Sequence, residues 1–231
     1  MLTRWEKLPD CFKTAEVRPY YDALNKKRGS LLIKRLFDIA AAFVLLLLLA
    51  IPMLVIAVWI KADSSGPVFY RQERVTKDGK RFRIHKFRTM VVNADKIGPS
   101  VTVGNDRRIT KVGEKLRHLR LDELPQLFDV LSGDMSFVGT RPEAVKYVKQ
   151  YEPEFYATLL LPAGITSEAS IRYKDEDRLL HDAEDADKVY LEQVLPDKMK
   201  WNLQSIRSFS LLGELLTMFR TVFAVLGKDY E

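Results

Sequence analysis

The segment Arg117-His118-Leu119-Arg120-Leu121-Asp122-Glu123-Leu124-Pro125-Gln126-Leu127 gathers cations, two carboxylates and a proline in one short stretch. Proline is tolerated in the first turn of a helix, so Pro125 predicts that a helix begins near Asp122 or Glu123. Acids at such a start cap the helix and meet its positive end, which is the commoner reason to find them there. The same place suits a nucleophile. It would keep Asp122 ionised and attract the phosphate that the carboxylate attacks. Arg117 and Arg120 would supply countercharge to a transferring phosphoryl group. A magnesium ion beside several phosphate charges would take a carboxylate as protein ligand. Residue type and spacing leave capping and chemistry both open.

A second candidate is Met135-Ser136-Phe137-Val138-Gly139-Thr140-Arg141-Pro142. Gly139 permits close backbone approach, Pro142 fixes a turn, and a guanidinium aimed by that turn can grip a diphosphate with two parallel hydrogen bonds. An arginine stacked on a surface turn is the commoner local reading. A third is a crowd of cations, Arg71, Arg74, Lys80, Arg81, Arg83, Lys86 and Arg88, which is either a phosphate-facing surface or a solvated sheet edge guarded against aggregation. His85, His118 and His181 lack metal-ligand spacing. The single Cys11 excludes an intramolecular disulfide and suggests a reducing compartment.

These residues must be held by the elements around them. Val68 to Val75 reads as a strand, Thr76 to Lys80 as a turn built on Asp78-Gly79, and Arg81 to Arg88 as the return strand. Leu116 to Leu131 reads as helical with a join near Asp122, Ser132-Gly133-Asp134 as a break, and Glu143 to Tyr151 as a further helix. Residues 175–187 are acid-rich and suit a solvated face. Leu203 to Leu226 suits either interfacial amphipathic helices or a last core helix. The hydrophobic fraction of 47% is enough for a core, and the net charge of +6 suits anionic lipid, phosphorylated small molecules or nucleic acid.

The apolar run Ile39 to Ile60 is free of charge and would extend roughly 33 Å at about 1.5 Å per residue, enough to cross a bilayer. It starts too late, and lacks the cleavage pattern, for a signal peptide. Pro52 predicts a break within it. Lys26, Lys27, Arg28, Lys34 and Arg35 precede the run, while Lys61, Arg71 and Arg74 follow it, drawing both ends to the cytoplasmic side. A span and a re-entrant wedge both remain open on these residues. Asp38 at its mouth needs a partner, and Arg35 three residues earlier is the one expected.

In order along the chain, Lys34-Arg35-x-x-Asp38, GPVFYRQERV (66–75), Asp78-Gly79, HKFRTM (85–90), RxxxLDELPQLFDVLSGDMSFVG (117–139), Arg141-Pro142 and Gly164-Ile165-Thr166 resemble the small monotopic phosphoglycosyl transferases, bacterial sugar transferases that begin glycan assembly on a polyprenyl carrier. The resemblance covers about residues 34–226. It implies an α/β fold, mostly helical with a small β-hairpin, in a monotopic protein with a re-entrant helix kinked at Pro52. It also implies four parts: an N-terminal extension (1–33), the membrane helix (34–62), a cytoplasmic catalytic domain (63–200) and C-terminal interfacial helices (201–231). The activity implied is Mg²⁺-dependent transfer of sugar 1-phosphate from a UDP-sugar to undecaprenyl phosphate at the cytoplasmic face of the bacterial inner membrane.

By position, Asp122 would be the nucleophile and metal ligand, and Glu123 would orient or deprotonate an acceptor. Lys86, Arg88, Arg117 and Arg141 would bind substrate phosphates, while Arg35, Asp38 and Pro52 would set the membrane helix. Membrane lipids are implied partners, nucleic acid is not, and self-association is left open. The chain departs from the family pattern at Thr140-Arg141-Pro142, where Pro-Arg-Pro is usual. It departs again at Ser167-Glu168-Ala169-Ser170-Ile171-Arg172-Tyr173-Lys174, so the sugar is not inferred, and near Asn202, where an acid is common. A fold retained as a tethered scaffold, or a membrane-anchored nucleic-acid binder, are the competing readings. The intact Asp122-Glu123 pair disfavours the first, and the lack of a recognisable motif disfavours the second.

Overall fold

A computed structural model describes residues 2–94, 106–173 and 185–225. It is mostly helical. Helix α1 (Arg18–Asn25) and the long α2 (Arg28–Asp63) lead to an antiparallel hairpin, β1 (Phe69–Val75) and β2 (Arg81–Phe87). Then come α3 (Lys111–His118), α4 (Gln126–Ser132), β3 (Met135–Val138), α5 (Val145–Val148), β4 (Ala163–Thr166) and α6 (Glu168–Arg172). The chain ends on α7 (Ala186–Val189), α8 (Leu195–Arg207) and α9 (Leu211–Val225). The hairpin turns where Asp78-Gly79 predicts: both residues take positive φ, 57° and 76°, which an Asp-Gly step allows and most residues resist.

Two expectations shift. The helix expected over 143–151 is a single turn, α5, and a parallel pair, β3 with β4, stands where no pairing was foreseen. The acid-rich stretch lies, except for 185–187, outside the described residues.

Helix α2 contains Pro52 without ending at it. Its underside packs in two places. Ala42 joins Leu127, Val130, Met135 and Phe137, while Met53, Ile56 and Ile60 join Phe87, Val112 and Leu116. Between and around these contacts Phe43, Leu47, Leu48, Ile51, Leu54, Val55 and Val58 are exposed, as are Leu212, Phe219 and Val222 on α9. A contiguous apolar surface of this size marks contact with a membrane or a partner. By length and composition, α2 could cross a bilayer.

Residues ahead of α2 are part of the main core. Leu2, Leu8, Phe12, Val17, Tyr20, Tyr21 and Leu24 are buried with Tyr147, Phe155, Tyr190 and Met199 in one cluster. Short 3₁₀ turns at Trp5–Lys7 and Asp10–Phe12 carry several of them, and such turns have no period to read in a sequence. Thr3 donates to Asp78 at 2.6 Å, tying this segment to the hairpin tip.

The foot of α2 corrects the expected Arg35–Asp38 pair. Asp38 turns inward and accepts from Ser136 Oγ at 2.7 Å and the Phe137 amide at 3.4 Å on β3. Lys34, one turn earlier on the same face, stands 4.0 Å from it. Arg35 instead donates to the Val130 and Leu131 carbonyls at 2.7 and 3.1 Å. Those oxygens end α4, where a cation meets the negative end of the helix. The polar foot of α2 is thus anchored to the two elements that flank the candidate site.

Candidate active site

Helix α3 is capped by Thr110, whose hydroxyl accepts from the Gly113 amide at 3.0 Å. Gly113 lies so close to the Thr89 carbonyl that a Cβ there would sit 2.0 Å from its oxygen. Past His118, Arg120 takes a left-handed conformation (φ 55°) that turns the chain into a 3₁₀ turn, Leu121–Glu123, and Pro125 then opens α4. The helix therefore starts at Gln126, beyond both Asp122 and Glu123. No side chain caps α4, so the capping role is not the one these acids play.

Their surroundings differ sharply. Glu123 Oε1 accepts from Lys86 Nζ at 2.7 Å and from Arg141 at 2.5 Å, and the second Arg141 nitrogen reaches Oε2 at 3.3 Å. Burial would raise the Glu123 pKa, but the charges and hydrogen bonds of Arg141 and Lys86 outweigh it and hold the carboxyl well below its ordinary range. Asp122 is also buried, yet no hydrogen bond reaches its carboxylate from the described residues. Burial pushes its pKa up, with Glu123 adding repulsion, while Lys86, Arg117 and Arg141 pull the other way without cancelling the rise. One acid is locked and ionised. The other is bare and surrounded by cations.

Lys86 reaches the pair from β2, where burial pulls its own pKa down against the opposing charge of Glu123. Arg117 is steadied by Thr89 Oγ1, to which its Nε donates at 2.9 Å. Arg141 is positioned by backbone. The Gly139 amide donates to the Thr166 carbonyl at 3.0 Å and the Gly164 amide to the Thr140 carbonyl at 2.8 Å. A Cβ at Gly164 would fall 2.2 Å from Gly139 N, so Gly164 is required for the chain crossing that sets Arg141. Asp122, Glu123, Lys86, Arg117 and Arg141 are thus brought together.

Arg88 is not among them. Its guanidinium donates to the carbonyls of Pro67, Ser65 and Ser64 at 2.6, 2.7 and 2.9 Å. The strand alternation carries Lys86 inward, and Arg88, just past the strand end, is spent on fixing the exit of α2. Thr89 and Gly164 stand in the motifs HKFRTM (85–90) and Gly164-Ile165-Thr166 but carry no assigned role in the sequence, and Gly113 is not singled out there. The side chains and backbone they meet across the fold show how they build the site. His85, in the same motif, forms a separate pair with Asp129, Nδ1 to Oδ1 at 2.7 Å.

A family model described as "Bacterial sugar transferase" matches residues 29–228. The chain is 39% identical over 198 residues to a UDP-N-acetylgalactosamine-undecaprenyl-phosphate N-acetylgalactosaminephosphotransferase of Aeromonas hydrophila, covering 84% of this chain and 44% of that protein. It is 38% identical over 200 residues to a UDP-glucose:undecaprenyl-phosphate glucose-1-phosphate transferase of Klebsiella pneumoniae, covering 84% and 40%. A protein of the same name from Caulobacter vibrioides is 36% identical over 201 residues, covering 85% and 70%. The chain thus spans less than half the length of the first two relatives.

Proposed function

The chain belongs to the bacterial sugar transferase family, and from that premise we propose that it transfers sugar 1-phosphate from a UDP-sugar to undecaprenyl phosphate, an early membrane step of bacterial glycan assembly. The observation that carries this reading is the bare, buried Asp122 carboxylate beside Lys86, Arg117 and Arg141. In the first step an Asp122 oxygen attacks the sugar-linked phosphorus. The phosphorus bond to the bridging oxygen breaks, and UMP leaves with the electron pair. In the second step a phosphate oxygen of the lipid attacks the same phosphorus and the Asp122 carboxylate is released. Lys86, Arg117 and Arg141 stabilise the charge that builds on the phosphoryl oxygens. Glu123 holds Lys86 and Arg141 in place for that task.

Among the described residues no group of three His, Cys, Asp or Glu side chains is placed to hold a metal. Magnesium does not need one, because it commonly binds through one or two carboxylates, substrate phosphates and water. Asp122, with no hydrogen bond committed elsewhere, fits that requirement. When bound, Mg²⁺ would neutralise diphosphate charge.

The membrane arrangement proposed is a re-entrant one, with the catalytic domain on the cytoplasmic face of the inner membrane. Both halves of α2 pack on that one domain: Lys34, Arg35 and Asp38 on β3 and α4, and Met53, Ile56 and Ile60 on β2 and α3. A helix crossing the bilayer could not return its far half to a domain on the starting side. Pro52 lies between the two docked regions, and the exposed apolar residues around it face the leaflet.

The test is UMP release by membranes containing the chain, supplied with Mg²⁺, undecaprenyl phosphate and a panel of UDP-sugars. The expected result is release with at least one sugar and its loss in Asp122→Asn. Release from no sugar, or undiminished release from the variant, contradicts the proposal.

A further inference from the structure

Glu123 grips the Arg141 guanidinium, and the β3–β4 crossing fixes the chain that leads to it. The residues after Arg141 are held from a different quarter. The Val75 amide at the end of β1 donates to the Glu143 carbonyl at 3.0 Å, and Arg74 Nη1 donates to the Pro142 carbonyl at 3.5 Å. Glu143 lies two residues past Arg141, so their Cα atoms are at most about 7 Å apart. Its side chain turns inward and is buried.

A buried carboxylate needs partners, and those of Glu143 come from far along the chain. Tyr190 Oη donates to Glu143 Oε1 at 2.6 Å. Lys198 Nζ donates to Tyr190 Oη at 3.2 Å and stands 3.8 Å from Glu143 Oε1. Tyr190 and Lys198 are themselves buried. Arg74 shares the neighbourhood: burial pulls its pKa down, Glu143 opposes the fall, and Arg141 adds to it. Glu143 thus offsets a second buried guanidinium beside Arg141.

The elements that carry these partners fix them in turn. One turn of π-helix, Tyr190–Val194, joins α7 to α8, and turns of that kind recur at functional sites. The Tyr190 ring packs against Tyr147 with centroids 4.7 Å apart, and Lys198 Nζ lies 5.0 Å from the Tyr190 centroid. Apolar residues of similar volume can replace a buried ionic group at little or no loss of stability. Packing alone therefore does not call for a carboxylate, a hydroxyl and an ammonium here. What the three supply is direction, because a satisfied buried polar network holds its members in one arrangement.

We propose that Glu143, Tyr190 and Lys198 form a brace through which α8 and the π turn before it set the position of Arg141. Tyr190 and Glu143 are positioning residues that act through the guanidinium. The assignment rests on the transferase reading above.

The test uses the full chain in lipid nanodiscs with Mg²⁺, undecaprenyl phosphate and the UDP-sugar that supports turnover. UMP release gives kcat and donor KM, and tryptophan fluorescence gives Tm. Tyr190→Phe removes one hydroxyl and keeps the ring. Assayed well below its Tm, it should raise donor KM about fivefold or more. A merely structural loss would lower apparent kcat through fewer active molecules and leave KM unmoved. Arg141→Lys supplies the second arm. Because Tyr190 acts through the Arg141 guanidinium, adding Tyr190→Phe to Arg141→Lys should change KM by less than about twofold. Glu143→Gln is nearly the same size, should raise KM in the same direction, and carries the test if Tyr190→Phe does not fold. An unmoved donor KM in either folded variant overturns the brace, as does a double variant whose KM increase is the product of the two single increases. Either result in protein that turns over leaves the transferase reading standing, whereas wild-type protein that releases UMP from no UDP-sugar sinks both.

Discussion

Lys34→Met tests how the foot of α2 is held. The Lys34 ammonium donates to the Val138 carbonyl at 3.0 Å and to Glu214 of α9. Its side chain is 10% exposed and that of Glu214 19%. Burial already pushes the Glu214 pKa up, and Lys34 is the principal group opposing that rise. Removing one partner from a buried ion pair costs about 3–5 kcal/mol. Glu214 can relieve part of this by taking a proton, so a loss of about 3 kcal/mol at neutral pH is expected. At about 2–4 °C per kcal/mol for a chain of this size, Tm should fall by about 6–12 °C. The loss should shrink as pH falls, because the stranded carboxyl is then protonated. Lys34→Met/Glu214→Leu replaces both charges with apolar groups and should recover at least half of the loss. The measurement is thermal unfolding in nanodiscs followed by tryptophan fluorescence. A double variant as destabilised as the sum of the singles would refute the pairing, as would a Lys34→Met Tm within about 2 °C of wild type.

Asp122 should leave two pH signatures. Its folded pKa is raised, so the ionised nucleophile is lost at a higher pH than an ordinary aspartate would allow. The acid limb of kcat/KM should therefore lie above the usual aspartate range, and a limb at or below 3.8 would contradict it. The same shift means that ionised Asp122 opposes folding. Asp122→Asn should be more stable than wild type at neutral pH, with the difference fading as pH falls through the raised pKa toward 3.8, as read by denaturant melts across pH. Gly164→Ala forces a Cβ to within 2.2 Å of Gly139 N, so the β3–β4 crossing must part. Donor KM should rise about tenfold or more through displaced Arg141; steady-state kinetics with unchanged KM would remove Gly164 from the site.

Much of the site was legible because its chemistry is concentrated in contiguous motifs. Asp122-Glu123 and Arg141 stand in short runs whose residue types already suggest phosphate chemistry, and Asp78-Gly79 announces its turn. What the sequence hid depends on partners distant along the chain. Arg35 and Asp38 are spaced to pair with each other, yet each finds a better partner across the fold: the carbonyls ending α4 for one, Ser136 and the Phe137 amide for the other. Arg88 shares its motif with Lys86, but lies where the chain leaves α2 and is drawn to exposed carbonyls. The β3–β4 pair joins two four-residue strands with a long connection between them, too short for alternation to register. The segment before α2 buries its side chains from 3₁₀ turns, which leave no periodic trace.

The two-step account turns on one bond, between an Asp122 oxygen and the phosphorus of the sugar phosphate. Purified protein mixed with Mg²⁺ and the active UDP-sugar, with undecaprenyl phosphate withheld, should be quenched in acid and examined by peptide mass spectrometry. The account predicts a burst of UMP and a peptide carrying Asp122 heavier by one sugar 1-phosphate, both absent in Asp122→Asn. UMP release that begins only when the lipid acceptor is added, with no adduct on Asp122 at any time, would contradict it.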